Sequence, residues 1–184
     1  MSALEEALVR LARLLQEGGI PYMIIGGIAN AMWGEPRSTL DIDVTVWASK
    51  DDVARILTLL ADLCQARVSE PLEFVRKTSV LPMEAKDGVR IDLIFGSLPF
   101  EREAIERTVE ASIQGTPVRF VTPEDLILHK IVSERQKDAD DVRGILVRQR
   151  KNLDFAYLDL HIRELSLLLE RPEMWSLWQK WKNE

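Results

Sequence analysis

The chain has 184 residues, 46% of them hydrophobic, and a single cysteine, Cys64, which suits one compact domain or a small domain with a helical appendage and excludes an intrachain disulfide. A formal charge of −6 argues against broad, non-specific nucleic-acid binding, and two histidines with one cysteine leave little for a zinc site. No apolar run reaches membrane-spanning length, and the start "MSALEEALVRLARLL" has neither a basic leader nor a small-residue cleavage site, so a cytoplasmic protein with no membrane association is expected.

Ser2 followed by Glu5 is a capping-box pattern, and Leu4, Leu8, Leu11 and Leu15 then recur at helical spacing until Gly18-Gly19, which predicts a first amphipathic helix. "YMIIGG" (22–27) predicts a short apolar strand broken by glycines, and "IANAMW" (28–33) a helical turn or two. "GEPRST" is a loop. Residues 40–47 form a strand by composition, with Leu40, Ile42, Val44 and Val46 on one face and Asp41, Asp43, Thr45 and Trp47 on the other.

Ser49 with Asp52 starts the next helix, whose stripe is Val53, Ile56, Leu57, Leu60 and Leu63. "SVLPMEA" and "VRIDLIF" flank the turn "KDG" as a hairpin, the second arm alternating Val89, Ile91, Leu93 and Phe95 against Arg90, Asp92 and Ile94. Pro82 marks the first arm as an edge or a bulge. Residues 99–110 read as helix, and "TPVRFV" (116–121) as a last strand.

From Thr122, an N-cap followed by Pro123 and two acids, the pattern becomes wholly helical, which sets an expected boundary between a core at 1–121 and a helical region at 122–184. One helix is expected over 138–149 and another from Asp154, with Phe155, Leu158, Ile162, Leu165 and Leu169 on one face. Pro172 opens a last helix whose Trp175, Trp178 and Trp181 read as packing, and "RGILVRQRK" (143–151) reads as a solvated helix end.

Two carboxylates at i and i+2 of one strand, Asp41 and Asp43, lie on one face with Cα atoms about 6 to 7 Å apart and repel unless a counter-charge joins them. Asp92 is a third acid on a second strand, set among apolar neighbours. If the two strands are adjacent, all three converge on a pair of Mg²⁺ ions, which favour carboxylate oxygen. Gly26 and Gly27 let backbone N–H groups approach a phosphate before a helix N-terminus, and Arg37, Ser38 and Thr39 offer a fork donor and two hydroxyls to the same region.

A glycine pair, thirteen residues, D-x-D and a later lone acid on a strand resemble the nucleotidyltransferases of the DNA polymerase β superfamily, and most of all its small bacterial AbiEii-like, abortive-infection toxin type and its minimal and antibiotic-modifying members. The resemblance spans the first 95 residues and, more loosely, the helical part. It implies an α+β nucleotidyltransferase fold, a mixed sheet flanked by helices and followed by a small helical C-terminal region. It implies Gly26 and Gly27 in the triphosphate-cradling turn, Asp41 and Asp43 as ligands of Mg²⁺ or Mn²⁺, and Asp92 as third ligand and base. The family often has Gly-Ser where this chain has Gly27 second, leaving Ser38 or Thr39 to replace a phosphate-binding hydroxyl. "LHKIVSERQKDADD" (128–141) resembles the family segment that sets a lysine and a K-D-x-x-D cluster near the nucleotide, which makes Lys130 the candidate for the triphosphate, ahead of Asp138 and Asp141. His129 reads as a packed or surface imidazole.

The implied reaction moves a nucleoside monophosphate from an NTP to an acceptor hydroxyl on a tRNA, a protein or a small molecule. A toxin role and a cognate antitoxin would follow from the first two. The rival readings are a degenerate domain that binds a nucleotide or a partner without turnover, and a haloacid-dehalogenase-type phosphatase built on "DIDVT". Such a phosphatase nucleophile ends a hydrophobic strand, whereas Asp41 precedes one. A glycosyltransferase D-x-D explains neither the glycines nor Asp92.

Overall fold

A computed structural model describes residues 2–36, 38–133 and 135–184. It divides into two compact units, Met1–Ile28 with Ser38–Val121 and Ala29–Arg37 with Thr122–Glu184. The architecture is α+β, with a mixed seven-stranded sheet in the first unit.

In the sheet unit, α1 (Ala3–Glu17) is held by the expected Ser2/Glu5 capping box and buries Leu8, Leu11 and Leu15. The strands are β1 (Tyr22–Ile24), β2 (Asp41–Val46), β3 (Cys64–Ala66), β4 (Val80–Ala85), β5 (Arg90–Phe95), β6 (Val109–Ile113) and β7 (Thr116–Phe120), in the order β3-β4-β5-β2-β1-β7-β6. β2 runs parallel to β5 and antiparallel to β1. Ile42, Val44, Val46, Ile91, Leu93 and Phe95 are all buried, which fixes the register, because a one-residue slip would turn that whole set to the opposite face. The opposite face carries Asp41, Asp43 and Asp92.

Between the strands lie α2 (Gly26–Trp33), α3 (Val53–Leu60), α4 (Pro71–Thr78) and α5 (Pro99–Glu106). Several expectations need correction. Leu40 is 80% exposed and lies before β2, not on its apolar face. β4 is neither an edge strand nor bulged at Pro82. The Pro82 carbonyl accepts from Arg67 N at 2.8 Å, so its missing N–H points past the end of β3 and the ladder with β5 loses nothing. The strand expected at 22–27 stops at Ile24 because Gly26 already begins α2, and the helix expected at 99–110 ends at Glu106, where the chain turns into β6.

The second unit contains α6 (Pro123–Ile131), α7 (Gln136–Gln149), α8 (Phe155–Leu168) and α9 (Pro172–Asn183). Thr122 caps α6 through the Asp125 N–H, and Asp154 caps α8 through the Tyr157 N–H. Trp178 and Trp181 are buried, and Trp178 Nε1 donates to Asp159 Oδ1 at 2.7 Å, so the tryptophan spacing serves packing. Among the described residues no helix is long and apolar enough to cross a membrane.

Candidate active site

Parallel pairing of β2 with β5 sets Asp43 directly opposite Asp92 and Asp41 opposite Arg90. Paired residues of adjacent strands project to the same face, so the three carboxylates share one patch, and all three are only partly buried. Burial pushes the Asp92 carboxyl above its ordinary range, and the like charges of Asp43 and then Asp41 push it further; Arg67 and Arg90 oppose them with smaller effect. Three hard oxygen donors of this kind suit Mg²⁺ or Mn²⁺. Among the described residues no three acids, histidines or cysteines are gathered closely enough to chelate an ion as they stand.

The glycine pair touches this patch. Ile25 N–H donates to the Asp43 carbonyl at 2.9 Å, and the chain then turns through Gly26 at φ +65° into α2. A Cβ on Gly26 would stand 1.8 Å from Asp43 Oδ2, so both the backbone angle and the carboxylate require glycine there. A Cβ on Gly27 would stand 2.6 Å from Thr39 Oγ1. The Thr39 hydroxyl therefore fills the place where a residue-27 side chain would begin, and it donates to the Asp41 carbonyl at 3.3 Å. Ser38 is exposed on the preceding loop, and Arg37 lies outside the described residues. Asp41 opens β2 instead of closing it, opposite to the phosphatase arrangement.

The sequence profile of a nucleotidyltransferase family of unknown function, DUF6036, matches residues 3–182. This chain belongs to that family. A comparison with curated proteins gives no match. Among solved structures, this nucleotidyltransferase is similar to the antibiotic-resistance factor ANT(2″)-Ia, with 17% identity and TM-score 0.60 over 92% of this chain and 96% of that one. It is similar to an antigenic nucleotidyltransferase-like protein from Paracoccidioides brasiliensis, with 16% identity and TM-score 0.56 over 95% and 91%. A third is the lincosamide antibiotic adenylyltransferase LnuA in its lincomycin-bound form, with 13% identity and TM-score 0.52 over 77% and 95%. At such identities the likeness is one of fold.

The second unit of this nucleotidyltransferase holds the other candidate residues. Lys130, 5% exposed, places Nζ 3.2 Å from Asp138 Oδ1 and 2.5 Å from Asp141 Oδ2. Arg135 Nε meets Asp138 Oδ2 at 2.6 Å, and Asn30 Nδ2 donates to Asp141 Oδ1 at 3.1 Å. Two acids thus meet two bases. Burial raises the Asp138 carboxyl, but Ser133, Lys130 and Arg135 together hold it below its ordinary value. Lys130 presents no loose ammonium, since both of its ion pairs would have to break before it could reach a triphosphate. His129 is half-buried, and desolvation followed by the Lys130 charge pushes its pKa down to about 4, which leaves a neutral packed imidazole at pH 7.

Sequence reasoning missed Arg90, Arg67 and Asn30. Arg90 was within reach, because i and i+2 of a strand share a face with Asp92. Arg67 follows a three-residue strand with no sequence signal, and Asn30 declares itself only through its partner on another helix.

Proposed function

We propose that this nucleotidyltransferase moves a nucleoside monophosphate from an NTP to an acceptor hydroxyl, releasing pyrophosphate, with Asp41, Asp43 and Asp92 as the acidic centre and Mg²⁺ or Mn²⁺ held by their oxygens. The observation that carries this reading is the register pairing Asp43 with Asp92 beside Gly26. A bound divalent cation supplies charge neutralisation at phosphoryl oxygens and acidifies a coordinated hydroxyl.

The chain's own groups do the rest. Gly26 and Gly27 let the start of α2 lie close against Asp43 and Thr39, and its N-terminus favours the triphosphate as an anion. The Thr39 hydroxyl, released from its 3.3 Å bond to the Asp41 carbonyl, would donate to a phosphate oxygen in place of the serine common at position 27. Asp92 takes the acceptor's proton on a carboxylate oxygen as the acceptor oxygen bonds to the α-phosphorus and the bond to pyrophosphate breaks. Lys130 takes no part in the step and holds Asp138 and Asp141 within the helical unit.

The test is transfer of α-labelled NTP into a cell extract with Mg²⁺, beside Asp43→Asn, followed by separate RNase and protease digestion. Label that needs Asp43 supports the transferase. RNase-sensitive, protease-sensitive or doubly resistant label assigns the acceptor to tRNA, protein or small molecule, and an antitoxin partner enters only with the first two. A folded wild type that binds Mg²⁺-NTP yet releases no pyrophosphate is the degenerate binding domain instead.

A further inference from the structure

We propose that Arg148 and Gln149 at the end of α7 are positioning residues for the triphosphate, acting through α2 without touching the nucleotide. The inference rests on the reading above of Gly26 and Gly27 as the turn that receives the triphosphate. α2 begins at that turn, whereas residues 29–37, its later part and the loop that follows, group with the helical unit. Eight helical residues form a stiff rod about 12 Å long, so whatever holds its far end sets the direction in which the first turn is presented.

The last four carbonyls of a helix have no partner within it. In α2 the Asn30 carbonyl accepts from Gly34 N at 2.7 Å, and the Trp33 carbonyl accepts from Gln149 Nε2 at 3.2 Å. One residue further on, the Gly34 carbonyl accepts from Arg148 Nη1. Fully buried Asn30 donates through Nδ2 to the Glu35 carbonyl at 2.9 Å and to Asp141 Oδ1 at 3.1 Å. Asp141 and Arg148 lie seven residues, or about two turns, apart on α7, so a single face of that helix holds the end of α2 through Asp141, Arg148 and Gln149.

Close packing joins these hydrogen bonds. α7 carries a glycine in its interior, Gly144, where helix propensity is poorest short of proline, and a Cβ there would stand 3.2 Å from both the backbone N and the Cγ of Glu35. A Cβ on Gly34 would stand 3.0 Å from Ile145 Cγ1 and 2.7 Å from Asn30 Oδ1. A side chain at either position would push the loop backbone away from α7. Among the described residues Arg148 forms no ion pair, and its guanidinium at the C-terminal end of α2 complements the helix dipole as an anion does at the other end. Anchorage and charge at one end of α2 thus both favour an anion held at its first turn.

Arg148 is exposed and Gln149 half-buried, so Arg148→Met combined with Gln149→Leu removes both donors while keeping the side-chain stems and the fold. The probe is Mg²⁺-tripolyphosphate, which carries the anion without a base, titrated by calorimetry into the full chain with Gly26→Ala as the background. The double variant is expected to bind it about tenfold more weakly, and Arg148→Lys, which keeps a cationic donor, to stay close to wild type. In the ligand-free chain the amide resonances of Gly26 and Gly27 are expected to shift in the double variant and to hold in Lys151→Met, an exposed change just beyond the same helix. Resonance changes confined to residues 30–36, or unchanged affinity in the double variant, overturn the inference while the triphosphate turn stands. A wild type that binds no more tightly than Gly26→Ala overturns the reading of that turn, and the inference with it.

Discussion

The two units handle carboxylates in opposite ways. In the helical unit Asp138 and Asp141 are buried, and each is bonded to a base or an amide, with Lys130 shared between them. In the sheet unit Asp43 faces Asp92 across a strand pair with Asp41 beside them, and the like charges hold the Asp92 carboxyl high. Acids that meet bases are offset where they stand, whereas neighbouring acids raise one another's pKa and gain from a cation placed between them. K-D-x-x-D and D-x-D look alike as strings; the ion pairs of the first favour an architectural role, and the chemical role of the second is the one proposed above.

The comparison breaks most severely at Gly26. Gly26→Ala needs a left-handed backbone angle that costs about 1–2 kcal/mol and places a methyl on Asp43 Oδ2, so transfer should fall on the order of 10³-fold, as a steady-state assay would show. Lys130→Ala leaves two buried carboxylates without their ammonium. It should cost about 3–5 kcal/mol in urea unfolding, far more than any single acid replaced in the sheet unit.

A smaller effect sharpens the assignment of Thr39. Gly27→Ser collides with Thr39 and should weaken NTP binding roughly tenfold by calorimetry, whereas Gly27→Ser with Thr39→Gly returns the hydroxyl to position 27 and should recover most of the affinity. The smallest effect is on pH dependence. Because the folded-state pKa of Asp92 is raised, its favourable contribution is complete below the unfolded value of about 3.9 and is lost as pH rises through the folded value. The metal-free protein should therefore lose melting temperature across that interval, and Asp43→Asn, which removes the larger of the two repelling charges, should flatten the slope.

Much of the sheet unit was legible in the sequence, because strict alternation around Asp41, Asp43 and Asp92 leaves only one way to bury Ile42, Val44, Ile91 and Leu93. The glycine pair was legible for the same reason that it is needed, since it interrupts an apolar strand where the chain must turn. β3, α4 and β6 were not. β3 has three residues, α4 buries only Val75, and β6 is a largely exposed edge strand with no apolar alternation to read. The fate of Lys130 was hidden because its partners lie 8 and 11 residues away on the next helix, a spacing that only the packing of α6 on α7 converts into contact. The Thr39 hydroxyl was legible as a candidate, but its closeness to Gly27 depends on the path of the intervening loop.

The most direct test of the central claim is thermal unfolding of wild type and Asp43→Asn, each without metal and with Mg²⁺ plus NTP. The account predicts that the metal-free variant melts at or above the wild-type temperature and that only wild type gains from Mg²⁺-NTP. A metal-free Asp43→Asn that melts well below wild type would contradict it, because Asp43 would then be a structural partner like Asp138 and not part of a cation-binding acidic centre.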